Sequence, residues 1–224
     1  MVDLAGQASS IGALAEPVRR ALYEYVATQA DPVSREQAAS AVDVPAHTAK
    51  FHLDKLVDEG LLETEFRRLS GRTGPGAGRP SKLYQRSARE FAVSLPERHY
   101  DLVGHILASA VEQAARGTSL DDALSSAATE HGRVDGQSAE SGVEDPLDRL
   151  AETLSGRGYE ARREDDTVTL ANCPFDSLAK QHTELVCGLN RDYVQGVADG
   201  LGCTGVEACL EPEDGLCCVK SHRR

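Results

Sequence analysis

The sequence predicts a mostly α-helical chain with α+β parts, divided into two domains. Its 224 residues exceed one small domain and fall short of three. With 40% apolar residues but no Trp, 4 Phe and 6 Tyr, the cores have to be built from Leu, Val and Ala, a composition that favours helices. All 6 cysteines, at positions 173, 187, 203, 209, 217 and 218, fall in the last quarter and set the two ends of the chain apart.

Residues 11 to 28 place Ile11, Leu14, Ala15, Val18, Leu22, Tyr25 and Val26 at steps of three and four, one stripe of an amphipathic helix that Asp31-Pro32 breaks. Ser34, followed three residues later by Gln37, is a capping-box opening for a second, short helix reaching Val42. After a turn at Asp43-Val44 a third helix begins near Pro45, faces Ala49, Leu53, Leu56 and Val57 inward, and ends at Gly60. Two alternating segments, Leu61 to Arg67 and Lys82 to Arg86, then flank the Gly/Pro-rich stretch Leu69 to Ser81 and read as a hairpin. Three helices followed by such a hairpin describe a winged helix-turn-helix over residues 1–92.

The net charge of −12 looks unsuited to a polyanionic partner until it is divided along the chain. Residues 1–90 balance 12 Lys and Arg against 12 Asp and Glu, so the whole deficit lies beyond them. Residues 66–89 hold seven bases and no acid, the footprint that phosphate contact requires. On the third helix His47, Thr48, Lys50, Phe51 and Asp54 lie opposite or beside the inward stripe, where a helix seated in a major groove meets base edges. His47, Thr48 and Lys50 are expected at bases or adjacent phosphates, Phe51 at backbone or a thymine methyl, and Lys55 at phosphate. In the hairpin tip Gly78-Arg79-Pro80 suits a narrow minor groove, with Arg72 and Lys82 flanking it. A solvated basic loop, and a simply packed His52, are the plainer readings. Residues 45–62, with their Phe-His-Leu-x-x-Leu-x-x-x-Gly-Leu pattern, resemble the recognition helix and its exit in ArsR-like winged helix regulators.

Residues 97–116 form a further amphipathic helix whose apolar face (Tyr100, Leu102, Val103, Ile106, Leu107, Ala110, Val111, Ala114) is broad. It fits a two-fold pairing with its twin, which would present two recognition helices to a palindromic duplex; packing within the chain is the alternative. With a short helix from Ser119 to about His131 it makes a dimerisation segment, 93–131. Residues 132–145 are polar, glycine-bearing and without period, and read as a linker.

Residues 146–224 are expected to form an α+β sensor domain: a helix through Leu147, Leu150 and Leu154, strands at Tyr159 to Arg163 and Thr167 to Ala171, helices at Asp176 to Cys187 and Leu189 to Leu201, and a closing hairpin at Val206 to Leu210 and Cys217 to Lys220. Cysteines crowded in this way suit metal or redox chemistry in a reducing compartment better than a disulfide framework. His182, five residues before Cys187, could join Cys173, Cys187 and Cys217 or Cys218 in a Cys3His zinc set. A thiol-disulfide switch and buried structural cysteines stay open. Cys173 sits in Asn-Cys-Pro-Phe, Cys187 follows at C-x13-C, and Cys217 comes after Asp-Gly-Leu. Here the chain resembles the SufR family of iron-sulfur-dependent repressors, and a broader ArsR-like group that shares the Asn-Cys-Pro-Phe and His-x-x-Leu-Val-Cys-Gly-Leu-Asn elements.

That resemblance implies Cys173, Cys187 and Cys217 as ligands of an iron-sulfur cluster, of the four-iron four-sulfur kind, with His182, Cys203, Cys209 and Cys218 as further candidates. The sequence departs from the family in a slightly longer first spacing and in the Cys217-Cys218 pair, whose neighbours on a strand point to opposite faces. The function expected is a dimeric, DNA-binding repressor rather than an enzyme: no HExxH, P-loop, Gly-x-Ser-x-Gly or strand-to-helix GxGxxG is present. With no run of 18 apolar residues and no secretory pattern, the protein is expected in the cytoplasm and off the membrane.

Overall fold

The structure, a computed structural model, describes residues 4–68 and 80–224. It divides into two compact units that meet in sequence between Val93 and Ser94.

The first unit opens with α1 (Leu4–Gly12), a 3-10 turn (Ala13–Ala15) and α2 (Pro17–Thr28). The stripe expected as one helix over 11–28 is therefore broken. The Glu16 carboxylate accepts the amides of Val18 and Arg19 (3.1 and 2.6 Å), and Pro17, which has no amide to carry the previous turn onward, starts the new helix. The capping box is present: Gln37 N donates to Ser34 Oγ (3.2 Å) and Ser34 N to Gln37 Oε1 (2.8 Å), opening α3 (Arg35–Val42). Asp43 takes a left-handed conformation (φ 55°) at the turn into α4 (Ala46–Asp58), which buries Ala49, Leu53 and Leu56 against Leu22, Val26 and Ala38.

The strands β2 (Leu62–Arg67) and β3 (Ser81–Arg86) pair antiparallel as the hairpin expected from their alternation. A strand not foreseen, β1 (Val33–Ser34), adds to the other side of β3, with Val33 opposite Tyr84. Two residues are too few to show a period in sequence. The expected wing tip, including Arg72 and Arg79, lies outside the described residues.

The second unit comprises α5 (Tyr100–Ala115), α6 (Leu120–Ser138), α7 (Pro146–Ser155), β4 (Ala161–Glu164), β5 (Thr167–Leu170), α8 (Asp176–Gln181), α9 (Thr183–Gly200), β6 (Val206–Leu210) and β7 (Val219–Arg223). The strands form an antiparallel sheet of order β4-β5-β7-β6. Leu147, Leu150 and Leu154 of α7 are buried with Val168, Leu170, Phe175, Tyr193, Val197 and Val219 in one core. Val103, Ile106 and Ala110 of α5 enter the same core, so much of the apolar face expected to seek a twin is covered by its own chain, while Val111 stays exposed. The segment from Ser94 to His131 is thus not separate from residues 146–224. Among the described residues no helix is long and apolar enough to cross a membrane.

The largest departure concerns the expected linker, 132–145, because α6 runs through it to Ser138. Its glycines are packing residues. A Cβ at Gly132 would lie 2.1 Å from the Tyr193 carbonyl oxygen, and one at Gly136 would lie 2.3 Å from that of Val197. The approach is reciprocal, with Gly196 2.2 Å from the Thr129 oxygen and Gly200 2.3 Å from that of Arg133 by the same measure. The α6 and α9 backbones touch where only glycine leaves room. Gly136→Ala is therefore expected to destabilise the chain by roughly 1–3 kcal/mol, the range for overpacking. Gly104→Ala, on α5 with nothing within 4 Å of the added methyl, should instead gain up to about 1 kcal/mol. Chemical denaturation of both variants checks the pair.

Candidate functional site

In the first unit α4 presents its outward residues as the heptad spacing requires. His47 and Phe51 are exposed, Phe51 at 65%, and Thr48 is half-buried beside them. Phe66, equally exposed on β2, pairs across the hairpin with Lys82. Among the described residues, Lys50, Lys55 and Lys82, the lysines expected at DNA, each have an acidic partner within the unit. Lys50 Nζ and Lys82 Nζ each meet a different oxygen of Asp54 (2.8 and 2.7 Å), and Tyr84 Oη donates to the Lys82-side oxygen (3.0 Å). Lys55 Nζ meets Glu59 (2.6 Å). Partial burial works to raise the Asp54 carboxyl, but the bonds from Lys50, Lys82 and Tyr84 outweigh it and hold it at about 2. His52 takes the packed reading: its Nδ1 accepts from Arg19 Nε (3.4 Å) and its ring lies edge-on to Phe51.

In the second unit the sheet pairing brings distant cysteines together. The Cys217 amide donates to the Leu170 carbonyl (2.8 Å), so the lead into β7 runs beside the end of β5, from which the Cys173 loop departs. Cys217 then lies near enough to Cys173, and Cys187 of α9 near enough to Cys218, for each to act on its neighbour's ionisation, and the Cys173 charge also reaches Cys187. The neighbouring Cys217 thiol, helped by the Phe175 backbone and the Arg98 charge against the effect of burial, lowers Cys173 to about 7. The same contact, and then burial, drives Cys217 strongly upward. Burial, and then Cys218, pushes Cys187 up to about 12.

Two buried amides frame these thiols. Asn190, on α9, donates to Cys217 Sγ (3.2 Å) while its oxygen accepts from Tyr159 Oη (2.6 Å). Asn172 lies buried beside Cys173. A cleft of about 450 Å³, lined by Arg98, Asn172, Cys173, Lys180 and Cys217 among others, opens the site to solvent.

The other expected ligands are placed elsewhere. Cys203 is buried and donates to the Pro146 carbonyl (3.3 Å), Cys209 sits on β6 opposite Lys220, and His182 is exposed at the junction of α8 and α9. Soft sulfur donors suit an iron-sulfur core or zinc. Their arrangement here is two pairs, and among the described residues no three His, Cys, Asp or Glu side chains converge as a metal site. Arg98, Tyr159 and the roles of Asn172 and Asn190 were not foreseen. The two asparagines stand inside the Asn-Cys-Pro-Phe and Cys-Gly-Leu-Asn elements, which was the available signal.

Residues 14–65 match the family of the helix-turn-helix domain. The chain therefore carries a helix-turn-helix domain built on α2, α3 and α4, which supports a DNA-binding role in transcription regulation. No curated protein and no solved structure matches the chain.

Two outcomes follow from the electrostatics. Because Asp54 sits below the unfolded carboxylate value of about 4, its contribution to stability is complete above that value and lost as pH falls toward about 2. Asp54→Asn should flatten that acid limb of the helix-turn-helix domain's melting profile. The same variant frees Lys50 and Lys82, so binding to random duplex should tighten and its log–log salt slope steepen by about 1–2. In metal-free, reduced protein, alkylation should reach Cys173 first, at a rate that rises through about pH 7, with Cys187 and Cys217 trailing. Mass spectrometry of timed samples reads the order.

Proposed function

We propose that the chain is a cytoplasmic transcriptional repressor, acting as a homodimer on a palindromic duplex, whose DNA binding is set by the state of Cys173, Cys187, Cys217 and Cys218. Two neighbouring thiol pairs, Cys173 with Cys217 and Cys187 with Cys218, in a chain that also carries a helix-turn-helix domain, support this reading. In it α4 occupies the major groove with His47, Thr48 and Phe51 toward base edges. Lys50, Lys55 and Lys82 exchange their internal acids for phosphate, and the hairpin makes a winged domain whose tip carries Arg72 and Arg79 to the minor groove.

Cys173, Cys187 and Cys217 would hold an iron-sulfur cluster, with Cys218 in place of His182, Cys203 or Cys209 as the fourth donor. When bound, such a cluster supplies a redox-sensitive cross-link between the Cys173 loop, α9 and the lead into β7. The chain's own residues prepare that site. Cys173 ionises near neutral pH, Asn190 presents an N–H to the Cys217 sulfur, and Tyr159 fixes which way the Asn190 amide faces. No substrate turnover enters this proposal.

The two-by-two arrangement of the thiols favours a second reading, a metal-free switch. In it a Cys173–Cys217 disulfide forms as a peroxide or disulfide oxidant accepts two electrons and two protons.

Anaerobic purification with iron, sulfide and zinc analysis separates these readings. Iron and sulfide in comparable amounts, with a broad absorption band near roughly 400 nm, are expected for the cluster. Colourless zinc protein makes the site structural or zinc-responsive, and metal-free protein that loses two thiols on oxidation selects the switch. Cys173→Ser and Cys217→Ser should each change affinity for a duplex selected by the wild-type chain by about tenfold, within the usual span of allosteric coupling. Folded serine variants with unchanged affinity in air and under nitrogen would refute control by these cysteines.

A further inference from the structure

We propose that Arg98 is the positioning residue that ties the thiol site to the chain leading into the helix-turn-helix domain. This rests on the reading of the thiols as the control element. Ser94 begins the second unit directly after Val93 closes the first, so residues 94–99 are the stretch through which any displacement has to pass along the chain. That stretch is bound to the Cys173 loop from both sides. Arg98 Nη1 donates to the side-chain oxygen of Asn172 and to the Cys173 carbonyl (3.1 Å). Asn172 Nδ2 donates in return to the Glu97 carbonyl (3.0 Å) and to that of Gly158 (2.5 Å). The His99 amide donates to the Pro174 carbonyl (3.1 Å).

The geometry gives this clamp a direction. Asn172 is 7% exposed, its donors and acceptor all engaged, so it cannot turn to follow a moving neighbour without leaving a buried amide unpaired. Arg98 has its far nitrogen 4.0 Å from the Asp176 carboxylate and its near nitrogen divided among three acceptors, the Glu97 carbonyl (3.1 Å), the Asn172 side chain and the Cys173 carbonyl. A planar fork tied to four groups transmits a shift rather than absorbing it. The Cys173 carbonyl that accepts from Arg98 and the Cys173 sulfur that meets Cys217 belong to one residue. Ligation or oxidation that draws the sulfur also moves the peptide, and hydrogen bonds weaken steeply as their geometry departs from linear. The state of the sulfur is thereby passed to residues 97–99, in the stretch that joins the second unit to the first along the chain.

The test uses the full-length chain in two states, reconstituted anaerobically with ferrous iron and sulfide, and metal-free with reduced thiols. The probe is a short duplex selected by the wild-type chain from a randomised library. Wild type should show about a tenfold difference in affinity between the states, and Arg98→Gln should bring that ratio to within about threefold of one while iron content and melting temperature stay near wild type. An Arg98 that served only to stabilise the fold would lower affinity in both states alike and leave the ratio intact. Amide exchange in wild type gives an independent reading, since the His99 amide should change protection between the two states. A wild-type ratio retained in Arg98→Gln, or unchanged exchange at residues 97–99, overturns this proposal alone. A wild-type ratio of one overturns control by a cluster at these thiols and this proposal with it.

Discussion

The second unit depends on the contact of two helix backbones. At Gly132 and Gly136 of α6, and Gly196 and Gly200 of α9, carbonyl oxygens stand where any Cβ would be. Interhelical distance is set by the side chains at the contact, and at these four positions there are none. A backbone contact admits no sideways adjustment, so α9 is held at a fixed depth and rotation against α6. The polar fittings around it share that register: Tyr193 of α9 donates to Asp135 of α6 (2.6 Å), Arg157 meets the same carboxylate (2.8 Å), and the Tyr159 ring stacks on Tyr193. From this fixed helix Cys187 and Asn190 reach the thiol site. The placement of soft donors is thus decided some distance away, by the absence of side chains.

The other half of that site comes from strand order. Placing β7 beside β5 brings the Cys217 amide onto the Leu170 carbonyl (2.8 Å) and makes neighbours of cysteines that lie far apart in the chain. The thiols then differ in character although their chemistry is the same. One is an anion near neutrality, its partner keeps a proton, and a third is buried on a helix. A buried amide whose orientation is held by a tyrosine hydroxyl makes the environment of Cys217 directional, as supporting hydrogen bonds do around ligating residues in general.

What the sequence discloses is what local chemistry decides. Ser34 with Gln37, the spacing of Ala49, Leu53 and Leu56, and the alternation on either side of the Gly/Pro-rich stretch each act within a few residues, and each is found where it was expected. Hidden features depend on a partner distant in sequence. Gly132 and Gly136 look like linker residues until α9 is placed against them. Asp54 looks like one more solvated acid until Lys82 arrives from the hairpin. Among the cysteines, spacing drew attention to Cys173, Cys187 and Cys217, but could not separate Cys218, which meets Cys187, from Cys203 and Cys209, which do not share that cluster. That distinction follows from which face of a strand or loop each sulfur occupies.

The Asp54 network bears on how a helix-turn-helix domain searches duplex DNA. In the proposed complex a phosphate would have to displace an internal carboxylate before Lys50 or Lys82 served it, and that exchange would cost the same at every register of the duplex because phosphates carry no sequence. A uniform toll shortens each visit to random sequence and leaves the contrast between sites to the uncharged, outward residues of α4. A residue that need never touch a base thereby sets how long such a domain dwells on DNA without altering which site it prefers.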